Sequence, residues 1–171
     1  FEKIKFIIES INSFSKTLKV KAPKIPDFKG GLALADKTEI LSAIKYLCEN
    51  NTGEIITNYP FENKKADALF YTFCKEGKIQ SLKHIVSFVR DNAHTENLSI
   101  FFSALKFFYE KQFIYFKYGD GDTSNQMLYP YYAVTGSCAV LFNHKNGIFI
   151  DDEAVVEDII QRAEKLLSEC T

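Results

Sequence analysis

The sequence predicts an α+β fold: a helical N-terminal half, then an antiparallel β-meander closed by a C-terminal amphipathic helix. Three observations predict it. Apolar residues recur at three- and four-residue spacing up to about residue 109. After Gln112 the pattern changes to short runs rich in aromatic and β-branched residues, whose connections are too short for parallel crossovers. From about Asp152 helical spacing returns and holds to Leu167.

Taken in order, residues 2–14 place Ile4, Ile7, Ile8, Ile11 and Phe14 at helical spacing, although the alternation in KIKFI also allows a strand. The stretch LKVKAPKIPDFKGG follows. Its two prolines disfavour helix in the residues before them, and its glycine pair adds freedom, so it reads as an extended connector. This divides the chain into a helical arm and linker, residues 1–30, and a single α+β domain, residues 31–171.

Within that domain Asp36 and Glu39 take capping-box positions ahead of a stripe of Ile40, Ile44, Leu47 and Cys48. GEIIT suits a short strand. Residues 62–75 carry Ala66, Leu69, Phe70, Phe73 and Cys74 on one helical face, with Gly77 placed to stop the helix. Residues 79–90 give a further helical pattern in Leu82, Ile85, Val86 and Val89. Thr95 can cap a helix bearing Leu98, Phe101, Phe102, Leu105, Phe108 and Tyr109, a stripe expected at the centre of the core.

The strands expected next are FIYFKY, LYPYYAVTG, CAVLFNH and GIFID, with Asn146-Gly147 as a hairpin signal because both residues tolerate positive φ. The last helix buries Val155, Val156, Ile159, Ile160, Ala163, Leu166 and Leu167. Its positive end receives Asp151, Asp152 and Glu153.

Composition narrows the function classes. With 46% apolar residues and 16 Phe plus 9 Tyr, the chain can bury a sizeable core. Residues 1–90 hold 15 basic and 10 acidic residues, whereas residues 91–171 hold 6 and 12. A nucleic-acid site on the second half would therefore face phosphate repulsion. Cys48, Cys74, Cys138 and Cys170 lack metal-type spacing and fit reduced thiols in a cytoplasmic protein. No apolar run approaches the length of a membrane span. The chain begins at Phe1 and its single Met is Met127, which is read as a piece of a longer protein.

Catalytic and metal motifs are missing from the sequence. Asp120, Asp122 and Ser124 alternate as in a calcium loop, but Tyr131 and Asn125 stand where the closing glutamate and central glycine belong. His84, His94 and His144 are scattered. Thr135, Ser137 and Cys138 could bring a nucleophile near His144 across a hairpin, yet no nucleophile elbow surrounds them. KGGLALAD lacks the endings of a phosphate or dinucleotide loop. The expectation is no catalytic residue, no metal and no cofactor.

The segment QFIYFKYGDGDTSNQMLYPYY concentrates seven aromatics. These can complete the core, line a pocket or form an interface. Tyr115, Tyr118, Tyr129 and Tyr132 are the candidate ligand-binding residues, since their rings can bury an apolar ligand while the hydroxyls orient it.

LYPYYAVTGSCAVLFNHKNGIFIDDEAVVEDIIQRAEKLL, residues 128–167, resembles the C-terminal portion of sensor-type regions in bacterial helix-turn-helix transcriptional regulators. The resemblance implies a non-catalytic ligand-sensing or dimerisation domain binding an unidentified small molecule. DNA contact would then be left to an upstream module absent from this chain, and a homodimer is compatible with it. A small cytoplasmic enzyme of unrecognised motif and a protein-interaction module are the alternatives.

Overall fold

The computed structural model describes residues 31–50, 53–60, 63–89, 94–109, 113–119 and 128–170. The arm expected over residues 2–14, the connector up to Gly30 and the loop at 120–127 lie outside them. Among the described residues there are seven strands: β1 (Leu32–Leu34), β2 (Glu54–Thr57), β3 (Ser81–Val89), β4 (Phe113–Gly119), β5 (Tyr131–Val134), β6 (Ala139–Phe142) and β7 (Gly147–Ile150). Four helices accompany them: α1 (Lys37–Glu49), α2 (Lys64–Lys75), α3 (His94–Tyr109) and α4 (Glu153–Ser168).

The strands form one mixed sheet in the order β1-β7-β6-β5-β2-β3-β4. Strands β2, β3 and β4 run parallel, linked through α2 and α3 as crossovers. From β5 the pairing becomes antiparallel through β6, β7 and β1. The layout is thus a mixed α/β sheet rather than a helical half followed by a separate meander. The expected meander β5-β6-β7 is present, but FIYFKY belongs to the parallel part.

The largest departure is residues 79–90, expected as a helix and found as the long strand β3. Its spacing satisfied a helical pattern because a central strand is buried on both faces and so loses clean alternation. Leu82 and Val86 pack into the cluster under α1–α3, while Ile85 faces the cluster under α4. The helix spacing of Leu82, Ile85 and Val86 is produced by two opposite faces.

Local signals elsewhere act as their chemistry requires. Asp36 Oδ1 accepts from the backbone N–H groups of Thr38 and Glu39, while Glu39 Oε2 accepts from Ala35 N at 2.6 Å. At the end of α2, Gly77 has φ 68°, Gly77 N–H donates to Cys74 O and Lys78 N–H donates to Phe73 O. This satisfies carbonyls that the helix leaves open. Asp152 caps α4 through Val155 N–H. Thr95 lies inside the first turn of α3 rather than before it.

Gly147 is needed for a different reason than positive φ. A Cβ there would lie 2.6 Å from Leu141 O and 3.0 Å from Phe142 Cβ, so the hairpin strands approach too closely for a side chain. The turn itself is held by Asn143, whose Oδ1 accepts from Lys145 N–H and Asn146 N–H.

Two apolar clusters fill the layers. Helices α1, α2 and α3 cover one face through residues such as Ile44, Leu47, Phe70, Phe73 and Phe107, and α4 covers the other through Val156 and Ala163. In α4, Ile159, Ile160, Leu166 and Leu167 are half-buried and Val155 is 44% exposed, so Val155 leaves the expected stripe. In α3 the expected face is rotated. Leu98, Phe101 and Phe102 are exposed, and Ala104 and Phe107 are buried instead. Apolar residues surround much of this helix, so spacing alone does not select the inward side. Phe107→Ala should therefore cost about 3–5 kcal/mol in denaturant titration, and Phe102→Ala less than about 1 kcal/mol, since Phe102 is 58% exposed.

Candidate functional site: a lysine-lined cleft

The register fixes which strand ends share an edge. Strands β1, β6, β2, β3 and β4 all run the same way, and β5 and β7 run against them. The start of α1 follows the C-terminal end of β1, α2 follows that of β2, and Asn143 and His144 follow that of β6. Three segments distant in sequence therefore meet at one edge of the sheet, close to where its direction changes, a common place for ligand sites in open sheets.

A cleft of about 360 Å³ opens there. Lys37, Ile40 and Leu41 line it from α1, Asn63, Lys64 and Lys65 from α2, and Asn143 and His144 from the β6–β7 turn. Ile40 is buried and Leu41 half-buried, which gives the cleft an apolar side. Lys37, Lys64 and Lys65 are exposed and form no ion pair among the described residues. Lysines elsewhere do: Lys45 meets Glu49, Lys83 meets Glu54 and Lys117 meets Glu169. His144 is held by the Tyr131 hydroxyl, 3.1 Å from its Nε2. The acidic side chains nearest Lys37 in sequence, Asp36 and Glu39, have carboxylate oxygens engaged by backbone N–H groups. Asp67, two positions after Lys65, is buried and pairs with Lys106 while also feeling Lys64.

Behind the cleft lies a buried polar network. Asp67, in the first turn of α2, pairs with Lys106 of α3 and accepts a hydrogen bond from the Tyr59 hydroxyl at 3.1 Å. The Tyr59 ring stacks between Phe70 (4.9 Å) and His84 (4.3 Å). His84 Nε2–H donates to Tyr59 O at 2.9 Å. Burial raises the Asp67 carboxyl above its ordinary range, with Lys106 pulling the other way. Burial also lowers the His84 imidazole from 6.5 to about 4.

The expected tyrosines are not brought together as a set. Tyr132 lies on β5 and Tyr115 on β4, with β2 and β3 between them, roughly 14 Å at the usual strand spacing. Tyr118 pairs with Phe88 in the β3–β4 ladder, and its side chain lies outside what is described. Tyr129 is half-buried just before β5. The Tyr132 hydroxyl is buried without a hydrogen-bond partner among the described residues, and burial raises its pKa.

The Thr135–Cys138 turn closes the β5–β6 hairpin. Thr135 Oγ1 accepts from Ser137 and Cys138 N–H groups and lies 3.1 Å from Cys138 O. Burial raises the Cys138 thiol, opposite to what an activated nucleophile needs. His144 is at the far end of β6, roughly 20 Å along the chain direction, so it does not sit across from this turn. Among the described residues no group of three or more His, Cys, Asp or Glu side chains is placed to hold a metal ion. No described helix is long and apolar enough to cross a membrane.

Two stability measurements probe the network. Lys106→Met should cost about 3–5 kcal/mol at neutral pH, because it leaves Asp67 buried without its cation. The loss should shrink in acid: a raised carboxyl is stabilised when protonated, and stability falls as pH rises through its folded value. For His84 the sign is reversed. Its contribution is full above pH 6.5 and is lost as pH falls toward about 4, on the order of 3 kcal/mol, and His84→Gln should flatten that part of the profile.

No family model matches the chain, and no curated protein matches it. Solved structures do. TrmBL2, described as an archaeal chromatin protein with a novel mode of DNA binding, is similar at TM-score 0.55 and 12% identity over 99% of this chain. The match spans 65% of the TrmBL2 chain. NucT from Helicobacter pylori is similar at TM-score 0.57 and 12% identity, over 82% of this chain and 97% of its own. At such identity the likeness to TrmBL2 and to NucT is one of fold alone.

Proposed function

We propose that this chain is a non-catalytic regulatory domain of a DNA-associated protein, sensing a small molecule or pairing two subunits. The observation that carries the reading is the fold held in common with TrmBL2 across nearly the whole chain. It agrees in kind with the resemblance of residues 128–167 to regulator sensor regions. The burial that raises the Cys138 thiol in the Thr135–Cys138 turn also favours a non-catalytic role. Under this reading, specific DNA contact is made by a module outside residues 1–171. Pairing of subunits is supported by α3, whose exposed Leu98, Phe101 and Phe102 stand beside the sheet-edge strand β4. The four free cysteines fit a reducing, cytoplasmic setting.

One observation favours an enzyme instead: His144 and Tyr131 form a hydrogen-bonded pair at a cleft that also holds lysines. Turnover of a phosphate ester or another small substrate, lost on His144→Ala, would establish that reading.

The regulatory reading is tested by DNA binding. The 171-residue chain should bind duplex DNA only in the non-specific range, roughly 10⁻⁴–10⁻⁶ M, while the protein that carries it binds a defined site far more tightly. Gel-shift or fluorescence titration at fixed salt reads both. Equal, sequence-independent affinity in the two would overturn the proposal.

A further inference from the structure

We propose that the cleft between α1, α2 and the β6–β7 turn binds a small phosphate-bearing molecule, with Lys37, Lys64 and Lys65 on the phosphate and Ile40 and Leu41 against its apolar part. The inference names the ligand class of a regulatory site and so rests on the reading above.

Three observations converge on it. The volume, about 360 Å³, falls in the range of small-molecule sites rather than single-ion sites. Its charged lining among the described residues is of one sign: three lysines and no acidic side chain. Those ammonium groups come from two helices and lack ion-pair partners among the described residues, so an incoming anion meets no salt-bridged carboxylate among them. A tetrahedral phosphate dianion can accept from several ammonium donors at once, and each charge-assisted bond is stronger than a neutral one. The first turns of α1 and α2 face the same space and add a favourable field, although Asp36 and Asn63 already cap part of their N–H groups. The lysines therefore supply the main attraction.

The apolar side distinguishes a phosphate ester from the free ion. Buried Ile40 and half-buried Leu41 offer no hydrogen bond, so a ligand that fills the cleft needs a carbon portion as well as a charge. Duplex DNA also presents phosphate, but its backbone would be read along a surface, with little use for an apolar recess.

The test is calorimetric titration of the 171-residue chain in chloride buffer of constant ionic strength, with phenyl phosphate, inorganic phosphate and a duplex oligonucleotide as separate probes. Phenyl phosphate should bind saturably and more tightly than inorganic phosphate. The combined change Lys37→Gln, Lys64→Gln and Lys65→Gln should weaken it by about tenfold or more. Lys75→Gln with Lys165→Gln, which changes charge outside the cleft, should leave it within about twofold. Lys64→Arg with Lys65→Arg should retain binding, and the melting temperatures of all variants report folding. No saturable phenyl phosphate binding, or binding lost equally in both Gln variants, overturns the site. If the cleft variant loses duplex affinity while phenyl phosphate never binds, the surface serves nucleic acid and the small-molecule proposal is wrong. Phosphate binding in a protein with no specific DNA site would refute the regulatory reading and leave the cleft assignment standing.

Discussion

The ion pair between buried Asp67 and half-buried Lys106 ties together two helices of the layer that covers the sheet. Asp67 belongs to α2 and Lys106 to α3, the two crossovers that join β2, β3 and β4. A charge pair taken out of water tolerates little displacement, because either ion left alone in the interior is costly. It holds α2 and α3 together, while the inward side of α3 is the face that carries Ala104 and Phe107, with Phe102, one turn before Lys106, facing out. Tyr59 adds a third attachment from the segment after β2, and its ring carries the constraint to Phe70 and His84.

Much of the fold could be read from single residues because their roles were local. Asp36, Asp152 and Gly77 punctuate helices through bonds within a few positions of themselves. The stripes of α1 and α2 were legible because each helix has a clear polar side. Strand β3 was not legible. Its two faces are both apolar, and which period applies depends on neighbours far away in the chain. The rotation of α3 escaped for a related reason: apolar residues surround the helix, and the cluster that buries Ala104 and Phe107 is built from elements far away in the chain.

The cleft shows the same limit. Lys37, Lys64, Lys65 and His144 each read as a solvated side chain in isolation, and no motif spacing joins them. Only the strand order brings the starts of two helices and one hairpin turn to the same edge. The aromatic segment was conspicuous in sequence, yet the sheet distributes its strands: β4 ends at one edge and β5 lies in the middle. Aromatic density there serves two sheet regions instead of one wall. Gly147 was identified correctly as a hairpin residue for the wrong reason, since the close approach of Leu141 O, not its φ, excludes a side chain.

The sheet is built from two halves that touch along one seam. Strand β2 pairs with β5 at only two positions, Ile56 with Val134 and Thr57 with Ala133. The contact is extended by Asn58, whose Oδ1 accepts from Tyr132 N–H and whose Nδ2 donates to Pro130 O, and by Thr57 Oγ1 donating to Tyr132 O. The residues meeting across this seam are more than 70 positions apart, as Thr57 and Tyr132 show at a separation of 75. The parallel strands and the β5-β6-β7 hairpins, by contrast, pair with nearer partners, whereas β1 joins β7 across a longer stretch still. Closing long loops is entropically costly before the contacts they allow are made, so this seam and the still longer-range pairing of β1 with β7, Leu32 with Phe149, are the slow closures of the sheet. Asn58 is thus a joint between stretches of chain that only a long loop brings together, and its side chain bonds to both Pro130 and Tyr132 across it.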